Sequence, residues 1–111
     1  MRTKRLVPFL AIAAALSVPA LGETAHAALR VYHGKDKAIA NTQVYLYDNE
    51  NDGNSVEAQY QRRASPGTTR HLWNHSGGGT RVSSGFGSSV IKLRVCEERD
   101  WAPDSCTSWV A

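Results

Sequence analysis

The sequence lacks most of the features that mark enzyme folds. It has two cysteines, four prolines and a formal charge of only +3 in 111 residues. A chain of this length excludes a doubly wound nucleotide-binding domain and a barrel enzyme of ordinary size. Beyond residue 28, no stretch of ten or more residues carries apolar side chains at helical spacing without an interrupting Gly, Pro or Asn. That absence excludes an α-helical domain.

One long apolar run is present, over residues 6–21, and it follows the basic residues Arg2, Lys4 and Arg5. Its 16 residues fall short of the ~20 that cross a bilayer as a helix, which disfavours a membrane anchor. Ala25-His26-Ala27 has small residues at the positions that signal cleavage requires. We therefore predict a signal peptide over residues 1–27 that is removed, although Ala20-Leu21-Gly22 also fits a cleavage site.

Removal of residues 1–27 leaves 84 residues with a formal charge of +1, because three basic residues and Glu23 leave with the signal. So small a charge favours neither a nucleic-acid partner nor membrane insertion of the mature chain. We see no internal repeat and no linker. Residues 28–111 are therefore predicted to form a single domain and a monomer, which is secreted and either diffuses away or stays associated with the cell wall.

Cys96 and Cys106 both lie in the predicted mature chain. Because an exported chain meets an oxidising environment, we predict that they form an internal disulfide that closes a C-terminal loop. In the chain-entropy model, a ring of this size stabilises a fold by ~3 kcal/mol. Such a contribution is large for a domain with so small a core.

The mature chain is dominated by alternation of apolar and polar residues, the period of a β-strand. Five runs show it: 29–33, 44–47, 56–61, 71–73 and 91–95. In the last run, Ile91, Leu93 and Val95 are predicted to face the core. Segments rich in Gly, Asn, Asp and Ser separate the runs and predict turns. The sequence therefore predicts an all-β fold, a small antiparallel β-sandwich or barrel of about six to seven short strands.

Two of the remaining histidines, His71 and His75, are candidate ligands of a zinc site. On an extended strand their Cα atoms lie ~13 Å apart, whereas zinc binds its histidine ligands at about 2.0 Å. The cysteines, which are the other usual zinc ligands, are assigned to a disulfide. We therefore predict no zinc site, no metal ligands among the site residues and no cofactor.

The segment Asp48–Gly53 has the residue pattern of the first half of an EF-hand calcium loop, with oxygen-bearing side chains at alternate positions before a Gly. The second half of the pattern fails, because Gln59 stands where a bidentate carboxylate is required. The flanking segments are also predicted strands. An EF-hand is therefore rejected, while a polar hairpin loop and a calcium site of another geometry both stay open.

Catalytic motifs are missing from the mature chain. No Gly-x-Ser-x-Gly elbow leads into a helix, and the glycine-rich segment Gly85–Ser89 opens no helix that would bind phosphate. So short a chain also leaves little material for a cleft between paired carboxylates. We predict that the protein is not an enzyme; a minor enzyme hypothesis rests on His71 or His75 and predicts an activity that depends on pH near the imidazole pKa of ~6.5.

Aromatic residues provide the candidate binding surface. Tyr45 and Tyr47 share the strand face opposite to Val44 and Leu46. If the aliphatic pair faces the core, the tyrosines stand at the surface, where they suit stacking on sugars or contact with a protein. The alternative is a central strand that is buried on both faces. Together with Trp101, in the loop between the cysteines, they are our predicted ligand contacts.

The layout resembles that of small exported β-proteins of high-GC Gram-positive bacteria such as actinobacteria. The resemblance rests on Ala25-His26-Ala27, on the glycine-rich β body and on the segments Arg94–Glu98 and Asp104–Trp109. In outline the chain is also similar to the small β-sandwich amylase inhibitors of that group. It departs from them in having one disulfide instead of two and no Trp-Arg-Tyr triplet, so no site residue is carried over.

Two functions follow from these observations. The first is a secreted, non-catalytic binding protein for cell-wall or other extracellular polysaccharide, or for a surface partner. The alternative is a small proteinaceous inhibitor of a secreted hydrolase, which would use the loop between the cysteines as a rigid binding element. The expected partner is accordingly an extracellular glycan or a secreted protein.

Overall fold

The computed structural model describes residues 27–111, so the predicted signal peptide lies almost entirely outside the described residues. The described chain is all-β, as predicted, and forms two antiparallel sheets of four strands each. Its eight strands, one of them only two residues long, are β1 Leu29–His33, β2 Asp36–Ala40, β3 Val44–Asp48, β4 Val56–Arg62, β5 Ser65–Asn74, β6 Thr80–Ser83, β7 Val90–Glu97 and β8 Ser105–Cys106. Within residues 27–111, no helix is long and apolar enough to cross a membrane.

Sheet 1 has the strand order β1-β2-β3-β6, and sheet 2 has the order β5-β4-β7-β8. The chain passes from sheet 1 to sheet 2 between β3 and β4, returns to sheet 1 in β6 and crosses again before β7. The acidic segment after β3 is therefore a crossover between the two sheets. It is not the hairpin loop that one of the two interpretations of this segment predicted.

The core lies between the sheets and consists mainly of small aliphatic side chains, because alternate residues of each strand point inward. Its buried members are Val31, Ala38, Ala40, Val44, Leu46, Val56, Ala58, Tyr60, Val90, Leu93 and Val95. Val44 and Leu46 thus face the core, and their neighbours Tyr45 and Tyr47 face outward, half-buried.

Strand β7 departs from the predicted alternation at its start. Leu93 and Val95 are fully buried as predicted, but Ile91 is only half-buried, and Val90 takes the inward position. The register against β4 shifts here, because Lys92 pairs with Gln61 while Val90 pairs with the next residue, Arg62. Ile91 is therefore the extra residue of a β-bulge, which changes the facing of the residues before it.

The predicted disulfide between Cys96 and Cys106 is present, and these residues face each other across β7 and β8. Beyond β8 the chain continues along β7. The N–H of Leu93 donates to the carbonyl of Val110 at 3.0 Å, and the N–H of Val110 donates back at 2.9 Å. The segment from β8 to Val110 thus covers the outer edge of β7.

Arg62 closes one end of the sandwich, which we call the arginine end. Although its side chain carries a charge, Arg62 is only 8% exposed. Its guanidinium donates to the carbonyls of Thr42 at 3.0 Å, Ser88 at 2.6 Å and Gly85 at 3.0 Å. One buried cation therefore ties the loop before β3 to the loop before β7.

Candidate functional site

The outward positions of sheet 1 form a surface that we call the tyrosine face. Its members are Arg30, Tyr32, Lys37, Ile39, Tyr45, Tyr47, Arg81 and Ser83. Cross-strand pairing lines up Tyr32, Lys37, Tyr47 and Arg81 in one row across all four strands. None of the eight outward residues is acidic, so the surface combines aromatic rings with three positive charges.

Two cations of the tyrosine face, Lys37 and Arg81, lie against its rings. Lys37 Nζ is 4.8 Å from the ring centroid of Tyr47. The Arg81 guanidinium carbon is 5.1 Å from the centroid of Tyr45 and 5.9 Å from that of Tyr47. The Tyr45 hydroxyl donates to Oε1 of Gln43 at 2.7 Å, which fixes the ring. The rings of Tyr45 and Tyr47 and the two cations against them are therefore in contact before any ligand arrives.

An open groove adjoins the tyrosine face where β3 begins. It has a volume of about 260 Å³, and its lining includes Ile39, Thr42, Tyr45 and Phe86. The ring of Phe86 is 80% exposed. Aromatic surface therefore extends from the tyrosine face toward the arginine end.

Trp101, the third predicted contact, lies apart from the tyrosines in the loop that joins β7 to β8 of sheet 2. Its side chain is 97% exposed. The loop is closed by the disulfide, and Nε and Nη2 of Arg99 donate to the carbonyl of Pro103 at 3.1 and 2.8 Å. The structure thus places the predicted contacts on two separate surfaces.

The end of the sandwich opposite to Arg62 is lined by carboxylates, and we call it the acidic end. Asp36 opens β2, Asp48 ends β3 and Glu97 ends β7, each at an inward position that continues the alternation of the core. They are 0%, 1% and 8% exposed, respectively. Glu50 and Asp52 follow in the crossover between the sheets. Two sheets and one loop therefore bring acidic side chains to a single place.

In each of the two buried aspartates, one carboxylate oxygen accepts a hydrogen bond and the other has no hydrogen-bond partner within the described chain. Oδ1 of Asp36 accepts the N–H of Asn49 at 2.8 Å, and Oδ1 of Asp48 accepts the N–H of Glu50 at 3.2 Å. Among residues 27–111, no donor lies within hydrogen-bonding distance of either Oδ2 atom. Buried carboxylate oxygens without partners are unusual in folded proteins, because leaving them unpaired is costly.

The carboxylates of the acidic end perturb one another. Burial raises the pKa of Asp36 to about 7, and the charges of Glu50 and Asp48 add to that effect. A hydrogen bond from the Glu97 carboxyl holds the pKa of Asp52 below its ordinary value. The same contact, together with burial, raises the pKa of Glu97. At neutral pH the Asp36 carboxyl therefore holds a proton part of the time unless a positive charge compensates the cluster.

One basic side chain, that of His33, lies beside the carboxylates of the acidic end. His33 Nδ1 lies 3.7 Å from Oε1 of Glu97, while its Nε2 is 2.9 Å from Oγ of Ser105. The other two histidines within residues 27–111 have separate contacts. Nδ1 of His71 lies against the Glu57 carboxylate on the outer face of sheet 2, and Nδ1 of His75 lies 2.8 Å from Oγ of Ser55.

The residue pattern of Asp48–Gly53 indicated part of the acidic end, but no pattern indicated Asp36 or Glu97, the other strand carboxylates there. Asp36 follows the turn-forming residue Gly34, and Glu97 opens the polar segment between the two cysteines. The one sequence signal for Asp36 and Glu97 is a charged residue at a position where the alternation of its strand predicts a buried side chain. Comparison of the chain with protein-family models, with curated proteins and with solved structures finds no significant match.

Proposed function

We propose that the protein is a non-catalytic binding protein that acts outside the cell, and that the tyrosine face binds an acidic polysaccharide. The observation that carries the proposal is the composition of this face, which has three tyrosines and three basic residues and no acidic one. Tyrosine rings offer flat apolar area to sugar rings. Lys and Arg side chains pair with carboxylate or phosphate groups.

Export is supported by two features. Residues 1–27 have the basic start, apolar run and small-residue cleavage site of a secretory signal. The disulfide between Cys96 and Cys106 is of a kind that persists in oxidising compartments. An acidic glycan at or beyond the cell wall is therefore an accessible ligand.

The geometry of the tyrosine face favours a polymer over a small molecule. Its row of Tyr32, Lys37, Tyr47 and Arg81 crosses four strands, and neighbouring strands lie about 4.8 Å apart. The row is thus roughly 15 Å long, which matches several sugar units in line. Repeated charges along such a chain would meet Lys37 and Arg81 in turn.

The test is retention of the protein on immobilised polygalacturonate, with neutral dextran as the control polymer. We expect retention on the polyuronate alone, weakening as salt rises because the pairs are exposed. The double substitution Tyr45→Ala with Tyr47→Ala is expected to weaken binding at least about tenfold. Tyr45→Phe with Tyr47→Phe, which keeps both rings, is the matched control. Unchanged retention of a folded double-alanine variant would contradict the proposal.

Trp101 favours a second function, inhibition of a secreted hydrolase. An aromatic side chain that is 97% exposed on a braced, disulfide-closed loop resembles the residues that dominate protein interfaces. The discriminating experiment exposes the immobilised protein to secreted proteins. Capture of one hydrolase at near-equal stoichiometry, lost on Trp101→Ala or on reduction, would replace the glycan proposal.

A further inference from the structure

We propose that the acidic end binds one calcium ion, and that the carboxylates of Asp36, Glu50 and Glu97 are its protein ligands. The site lies away from the tyrosine face and has no residue in common with it. The inference therefore goes beyond the proposed function, and either can fail without the other.

The three carboxylates have the spacing that a shared cation requires. Asp36, Glu50 and Glu97 each offer one oxygen, and these oxygens lie within 4.8 Å of one another. Calcium binds oxygen at about 2.3–2.6 Å, so oxygens on opposite sides of one ion lie up to about 5 Å apart. The observed spacing fits within this limit without movement of the backbone.

The unpartnered oxygens of the aspartates point independently to a cation. Asp36 is fully buried, belongs to the ligand set and leaves Oδ2 without a donor among the described residues. The Asn49 N–H holds its other oxygen and so fixes the direction of the carboxylate. Outer hydrogen bonds of this kind commonly orient metal ligands. Asp48, the neighbour of Asp36 across the strands, has the same arrangement and adds negative charge behind the ligand set.

The chemistry of the donors favours calcium over other metals. All three ligands are carboxylate oxygens, which suit calcium, magnesium and manganese better than zinc or copper. Magnesium demands near-ideal octahedral geometry and keeps much of its water, whereas calcium accepts six to eight oxygens in flexible arrangements. The ligands come from a strand start, a loop and a strand end, which favours the less demanding ion. Asn51 and Asp52, next to Glu50 in the loop, carry further oxygens.

Calcium at this place would link the two sheets. Asp36 belongs to β2 of sheet 1, and Glu97 belongs to β7 of sheet 2, while Glu50 lies in the crossover between them. The unfolded chain does not hold these residues together, so the ion would bind the folded state preferentially and stabilise it. The expected affinity is that of extracellular calcium modules, about 10⁻⁴ to 10⁻³ M.

The experiment compares the melting temperature of the purified protein in CaCl₂, in MgCl₂, in excess EDTA and in NaCl of matched ionic strength. At about 10 mM, roughly ten times the upper dissociation constant, calcium is expected to raise Tm by about 5–10 °C over EDTA. Calorimetric titration with CaCl₂ should give a single site. Equal shifts in all three salts, or no shift and no heat with calcium, would overturn the proposal.

Substitutions identify the ligands. Glu97→Gln and Asp36→Asn keep the side-chain size and are expected to abolish the calcium-dependent rise in Tm. Glu50→Gln, at a half-exposed loop position, provides a milder variant if either buried change prevents folding. The matched control is Glu98→Gln, one residue beyond Glu97 and exposed, which should keep the full rise. A full rise retained in Glu50→Gln and in a folded Asp36→Asn would overturn this ligand set.

Discussion

The two ends of the sandwich bury charges of opposite sign. At the arginine end, one buried cation is surrounded by backbone carbonyls of Thr42, Gly85 and Ser88. At the acidic end, buried carboxylates of Asp36 and Asp48 each retain an oxygen without a donor from the described residues. Both ends place charge at inward-facing strand positions, but only the first supplies full compensation from its own chain.

This difference shows that the free-energy cost of burying a charged side chain depends on the partners that surround it. A guanidinium directs several N–H groups at carbonyls in a fixed geometry, so burial of Arg62 leaves few donors unused. A carboxylate needs donors or a cation. Backbone N–H groups at the acidic end satisfy one oxygen of Asp36 and one of Asp48, but the Oδ2 atom of each has no partner among the described residues. The arginine end is therefore complete as a structural element, whereas the acidic end is suited to an added ion.

The largest effect is expected when the arginine end is broken. Arg62→Met retains much of the side-chain volume but removes the guanidinium that donates to the carbonyls of Thr42, Gly85 and Ser88. The loss of these hydrogen bonds to a buried charge should lower the free energy of unfolding by about 3 kcal/mol. Urea denaturation measures the change. Arg70→Met, at an exposed position on β5, is the control and should stay within about 0.5 kcal/mol of the parent. A similar stability for both variants would contradict the structural role assigned to Arg62.

A smaller loss is expected from crowding the same arginine. A Cβ at Gly87 would lie 2.8 Å from the guanidinium carbon and Nη1 of Arg62, whereas a Cβ at Gly85 meets nothing within 4 Å. Gly87→Ala should therefore cost about 1–2 kcal/mol, and Gly85→Ala should cost clearly less. Thermal or urea unfolding of the pair checks the contrast. Equal stability would mean that the guanidinium is not tightly fixed.

The smallest effect has the opposite sign and belongs to the acidic end. Asp48→Asn keeps an acceptor for the Glu50 N–H, removes one negative charge and adds a donor beside Asp36. In excess EDTA it should raise the free energy of unfolding by about 1 kcal/mol. Asp100→Asn, at an exposed loop position, is the control and should change little. A lower free energy of unfolding in Asp48→Asn would contradict the view that the acidic end, unlike the arginine end, carries a buried charge without full compensation.

Strand periodicity predicted the facing of residues well where the strand is regular. A period of two fixes every side chain of a strand once one of them is placed. Val44 and Leu46 therefore identified the outward position of Tyr45 and Tyr47, and the same logic placed Leu93 and Val95 in the core. It was wrong for Ile91, because a β-bulge inserts a residue that periodicity alone does not reveal.

Strand β2 shows why other elements escaped prediction. Asp36–Ala40 begins with two charged residues, and its inward positions beyond Asp36 are alanines, so no apolar alternation stands out. The segment becomes a strand because β1 and β3 pair with it on both sides. Tertiary context of this kind outweighs intrinsic strand preference.

The acidic end was only partly visible in the sequence for a similar reason. Residues 48–53 are contiguous and carry an obvious cluster of oxygen-bearing side chains. Asp36 and Glu97 come from distant parts of the chain, and only the packing of one sheet on the other brings their oxygens within 4.8 Å. A site assembled across two sheets has no local spacing by which a sequence could reveal it.

The segment that follows the disulfide has a consequence for association between molecules. An open sheet edge exposes unpaired N–H and C=O groups that can pair with another chain. Here Cys106 is bonded to Cys96, and Val110 pairs with Leu93, so the outer edge of β7 is already occupied. Reduction would free the short β8 to separate and expose β7. The disulfide therefore also helps to keep this one edge of sheet 2 from pairing with another chain.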